Sequence, residues 1–145
     1  MSATPTSRAL LVANRVATAL FCLQMGFTAY AQLRLPQLVE VFDHLGFPPY
    51  FRVELALAKI AGIVAIVAPL PARVKEWAYA GFTLTLVSAI VAHVAKGEGI
   101  AVWGWAAGTL VLGAVAYTTW RLLPPKPRAA TAEAPSAMLA TPREA

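Results

Sequence analysis

The sequence predicts an all-α integral membrane protein: an up-down-up-down bundle of four spanning helices, with a short interfacial amphipathic helix between the first and second. Three observations carry that class. Of 145 residues, 59% are hydrophobic and only 13% are charged, whereas a soluble domain carries about a quarter charged residues. The apolar residues fall into four blocks, 9–33, 50–70, 76–95 and 100–123, each near the ~20 residues a helix needs to cross ~30 Å of hydrocarbon with its backbone groups paired internally. The connections "PLPARVK" and "KGEG" after the second and third blocks are short enough to force antiparallel neighbours.

The first block follows Arg8, which imitates the charged start of a secretory signal. Asn14, Arg15 and Gln24 interrupt the run, and it exceeds the ~7–15 apolar residues of a signal, so it is read as a retained helix. In the long connection "RLPQLVEVFDHLGFPPYF", Leu35, Leu38, Phe42 and Leu45 recur at helical spacing while Glu40, Asp43 and His44 fall elsewhere on the wheel. Pro36 suits a first helical turn, and Gly46, Pro48 and Pro49 end the pattern. This predicts a helix over 35–46 on the outer interface, either a connector that shields the bundle or a lid over a cavity.

The second block carries Ala58, Ala61, Gly62 and Ala65, and the fourth Gly104, Gly108 and Gly113, small residues that let helices approach closely. Trp77, Tyr79, Trp103, Trp105 and Trp120 lie near span ends, where amphipathic rings anchor at the interface. Residues 1–123 are read as one domain, and 124–145, rich in Pro, Ala and Thr, as a disordered tail with no assigned function.

Orientation follows from the basic residues. With a cytoplasmic amino terminus, the inner face holds Arg8, Arg73, Lys75, Arg121, Lys126 and Arg128, and the outer face Arg34, Arg52 and Lys96. Six against three places both termini inside, in the inner (plasma) membrane. The net charge of +5 is then largely a topology signal beside an anionic bilayer, and no basic patch or recognition motif points to nucleic acid.

Ionisable groups inside a span are costly and mark functional candidates. Glu54 lies about one turn below the outer surface and Lys59 about two, at ~1.5 Å per residue. Lysine stems reach toward the helix amino terminus, which brings Lys59 to the level of Glu54, and His93 sits near the outer end of the third span. Five residues separate Glu54 from Lys59, a rotation of ~140°, so they form no i, i+4 pair. At similar depth the first span offers Gln24 and Thr28, four apart on one face, and Tyr30. Two readings stand: a polar network that sets helix register, or an outer-leaflet site, built on Glu54, Lys59 and His93, for proton exchange or for the head of a lipophilic ligand.

The runs "HLGFPPYF" and "ELALAKIAGIVAIVAPLPARVKEWAYAGFTLTLVSAIVAHVAKGE" resemble the DoxX-like family of small four-helix membrane proteins. The shared features are the proline-bearing "LGFP" loop, the Glu and Lys of the second helix, the "KEWAYAGF" start of the third and the "AH" near its end. The resemblance covers residues 9–123 and is most specific over 43–98. The family is named for a subunit associated with a thiosulfate:quinone oxidoreductase. The resemblance therefore implies an accessory component of a membrane redox system, with a redox partner subunit and a quinone or lipid as ligand.

The chain's own redox equipment is slight. Cys22 is the single cysteine, so no CxxC pair exists and a small packing role suits it. His44 and His93 match no metal or haem ligand spacing, and no nucleotide loop or nucleophile elbow is present. The expectation is no covalent cofactor and no metal, with catalysis left open. Three functions follow: a quinone-binding accessory subunit, a non-enzymatic carrier of a small amphipathic molecule, or a structural or assembly partner, with homo-oligomerisation open in each.

Overall fold

The structure is a computed structural model that describes residues 5–124; the expected tail lies, but for Pro124, outside the described residues. Five helices follow one another: α1 (Pro5–Arg34), α2 (Pro36–Leu45), α3 (Pro49–Val67), α4 (Ala72–Ala95) and α5 (Ile100–Leu122). Three of them, over Arg8–Arg34, Ala72–Ala95 and Ile100–Leu122, are long and apolar enough to cross a membrane. α3 falls outside that set because Arg52, Glu54 and Lys59 place three formal charges within its 19 residues.

The short helix begins where the sequence places it. Pro36 occupies its first turn, where the missing N–H costs nothing. Gly46 ends it at φ 86°, and its N–H bonds back to the Asp43 carbonyl. That left-handed conformation is one that glycine alone adopts readily.

α1 packs against α3 and α5, and α4 packs against the same two, which closes a ring; α2 lies on α3 and α1. Contacts run in opposite numerical order along neighbours. The Asn14 amide donates to the Ala116 carbonyl at 3.0 Å and to Thr119 Oγ1 at 3.1 Å, while Gln24 reaches Thr109 at 3.5 Å. At the same end of the ring as Asn14 and Thr119, Lys75 donates to the Ile66 carbonyl at 2.7 Å, satisfying an unpaired end of α3, and Arg121 pairs with Glu76.

A line of four residues crosses the core. A Cβ on Gly62 of α3 would lie 2.7 Å from the Phe82 ring of α4; Phe82 meets Phe21 of α1 edge to face at 5.2 Å; a Cβ on Gly113 of α5 would lie 2.8 Å from Phe21. Each phenyl ring thus takes the space a side chain would fill. Gly108, by contrast, faces nothing within 4 Å. Tyr79 is buried, stacked on Phe21 and Trp120, so it is a core residue and not the interfacial anchor its position near a span end suggests. Trp77 is 82% exposed, open to its surroundings as an anchor would be.

Around the ring the surface is apolar. Leu23, Phe27, Leu84 and Val111 are each more than half exposed. A soluble bundle would turn these side chains inward, and lipid is the medium in which they are at ease.

Candidate functional site

At the end of the ring covered by α2 lies a cavity of about 600 Å³ to which all five helices contribute. Its walls are largely apolar. α2 supplies Leu38, Phe42 and Leu45 of the apolar face read from the sequence, together with Val41, while Leu35 of that face is not on the wall. Phe42, Phe47 and Phe51 cluster there, with centroids of Phe47 and Phe51 4.9 Å apart, and pin α2 to the start of α3.

Polar groups break the apolar wall at a few points. Lys59 is only 8% exposed and donates to Thr28 Oγ1 at 3.3 Å. Thr28 in turn donates its own proton to the Met25 carbonyl at 2.9 Å. Among the described residues no carboxylate lies within ion-pair distance of Lys59. An ammonium held by one neutral hydroxyl is poorly compensated, because burial removes most of its hydration and returns a single hydrogen bond. Lys59 also borders a smaller cavity of about 200 Å³ between α3 and α4, next to Gly62 and Thr85.

Gln32, 5% exposed, lines the main cavity one turn beyond Thr28, and its Oε1 has no hydrogen-bond partner. Such an atom is rare in a folded protein, where buried polar atoms are nearly all paired.

At the cavity rim stands a chain of three titratable groups. His93 lines the cavity and its Nδ1 is bonded to Glu98 Oε2. The other oxygen of Glu98 lies 3.4 Å from Nε2 of His44 on α2, whose side chain is largely exposed. The chain therefore runs from open surface to cavity wall and ties α2 to the α4–α5 connection. Among the described residues no group of His, Cys, Asp and Glu has an arrangement that could hold a metal ion.

A family profile described as the DoxX-like family matches residues 16–118, from the first half of α1 to the last turns of α5. This chain belongs to the DoxX-like family. The match encloses every residue of the cavity wall, from Met25 to Thr109. No curated protein and no solved structure matches the chain. With its long apolar helices, this DoxX-like chain is a membrane protein.

The six residues singled out in the sequence are not all brought together. Lys59, Thr28 and His93 border one cavity. Glu54 does not: it is exposed on α3 and absent from the lining. Five residues at ~100° each turn it ~140° away from Lys59, so matching depth does not become a shared site. Tyr30 points outward, 58% exposed. Gln24 is tied to Thr109 behind the wall.

Gln32, Thr109 and Glu98 were missed by sequence reasoning. Gln32 had a signal, since Gln24, Thr28 and Gln32 repeat every four residues and form one polar stripe; its position beside Arg34 made it look like a span end. Glu98 sits in a four-residue link where any charge reads as solvated, and Thr109 is a lone hydroxyl in an apolar run.

Proposed function

We propose that this DoxX-like protein crosses the inner (plasma) membrane four times as an up-down-up-down bundle with both termini cytoplasmic, and that its cavity holds the polar head of a quinone or lipid as an accessory component of a membrane redox system. α3 supplies the fourth crossing. Its 19 residues reach ~28 Å, it is flanked in the ring by α1 and α4, and its one buried charge, Lys59, faces the bundle and not lipid, as intramembrane charges do. α2 lies at the outer interface and roofs the cavity.

One observation carries the ligand reading: a buried ammonium without a carboxylate, facing an apolar cavity of about 600 Å³. That volume suits a ring and the start of a hydrocarbon tail. Two of the three Lys59 donors remain after Thr28 is served, and a carbonyl or anionic oxygen of the head would accept them. His93, with Glu98 and His44 behind it, suits proton exchange between the head and the aqueous surface.

The test is native mass spectrometry with quinone and lipid extraction of gently solubilised protein, wild type against Lys59→Met. A co-purified lipophilic molecule in the wild type, lost from a folded Lys59→Met variant, is the expected result. The same occupancy in both, or no ligand in either, overturns the reading.

A further inference from the structure

We infer that the cavity selects a head group that carries a hydroxyl over one with acceptor oxygens alone, that is, the dihydroxy (quinol) form of a lipophilic ring over its dione. The inference rests on the head-group reading above and adds which redox form is held. Its basis is the direction in which the lining protons point. Thr28 donates to the Met25 carbonyl at 2.9 Å, Thr85 to the Gly81 carbonyl at 2.9 Å and Thr109 to the Trp105 carbonyl at 2.8 Å. Every one of these threonines turns its proton back into its own helix, so the three oxygens can only accept; Thr28 already accepts from Lys59 and Thr109 from Gln24, which leaves Thr85 without a donor among the described residues.

To them is added Gln32 Oε1, buried and without a partner. Against these acceptors Lys59 is the one fully charged donor on the wall, with Ser88, His93 and Trp105 as further polar groups on it. Thr28, to which Lys59 is bonded, lies four residues from Gln32, ~6 Å along one face of α1. A single ring can span that separation.

The two redox forms of a quinone differ in the needed respect. A dione brings two acceptors and no donor. One of its oxygens can accept a hydrogen bond from Lys59, but it has no donor for Gln32 Oε1, which stays without a partner. A quinol brings two hydroxyls, each both donor and acceptor: one oxygen accepts from Lys59 and one O–H donates to Gln32. Leaving a buried acceptor unpaired costs roughly 10- to 100-fold in affinity, and that is the preference expected.

The experiment titrates purified protein in detergent under argon with decyl-benzoquinone and with its chemically reduced quinol, following quenching of tryptophan fluorescence. Wild type is expected to bind the quinol at least ~10-fold more tightly, and Gln32→Met, which keeps the volume and removes the acceptor, to bring the two affinities within about threefold. Thr85→Val, at a second acceptor on the wall, is expected to lower the ratio by a smaller factor. Equal affinities in the wild type, or a preference for the quinone, overturn the inference while leaving the head-group reading intact. An unchanged ratio in both variants overturns the assignment to these acceptors. Binding of neither form overturns both readings together.

Discussion

Replacing Lys59 with methionine separates a side chain kept for a ligand from one kept for the fold. The ammonium is 8% exposed and holds one hydrogen bond of 3.3 Å to a neutral hydroxyl. Burial of an ion costs several kcal/mol even after relaxation, and a hydrogen bond to a charged group returns ~1.5–3 kcal/mol. Methionine fills a similar length with no charge to desolvate. The ligand-free Lys59→Met protein should therefore be more stable than the wild type by about 1–4 kcal/mol. At ~2–4 °C per kcal/mol for a chain of this size, that is a rise in Tm of roughly 2–16 °C. Thermal unfolding of delipidated protein in detergent, followed by circular dichroism, measures it. A fall in Tm of several degrees would refute the reasoning, because it would make the Lys59–Thr28 contact a structural bond whose loss the bundle feels.

Three further outcomes are expected. Gly62→Ala puts a Cβ 2.7 Å from the Phe82 ring, about 1 Å closer than carbon atoms settle, and should destabilise by ~1–3 kcal/mol; in a Phe82→Leu background most of that penalty should vanish, a coupling that a double-mutant cycle reads directly. Glu98→Gln weakens both histidine links that tie α2 to the α4–α5 connection. Amide exchange over 36–45 should accelerate several-fold while global stability changes by less than ~1 kcal/mol, as befits partly exposed pairs. Single cysteines at Arg73 and Lys96, in a Cys22→Ala background, should react with a membrane-impermeant thiol reagent from opposite sides of the membrane; labelling of both from one side would remove α4 as a crossing.

The α2 helix was legible because its signals are local. Pro36 and Gly46 bound it, the spacing of Leu38, Phe42 and Leu45 set its apolar face, and that face lies on the cavity. The spans α1, α4 and α5 were legible for the same reason, since a run of apolar residues reports its own solvent. Lys59 and His93 were legible as costly residues in an apolar context, and they border the same space. Glu54 has an equal claim on sequence, yet it lies outside the cavity, because composition reveals which side chains are expensive and not which way the helix is turned.

What the sequence by itself determined is the class: an apolar, helical membrane protein, and the positions at which the chain turns. Those follow from transfer free energies and backbone preferences that act residue by residue. Only the tertiary structure decided the rotation of each helix about its axis. That rotation seats Phe82 on Gly62 and Phe21 on Gly113, and leaves Gly108 unused. It turns Lys59 inward and Glu54 outward, and it leaves Gln32 Oε1 without a partner beside the cavity. Rotation is set by how ridges and rings of several helices fit at once, a many-body condition that no single segment carries.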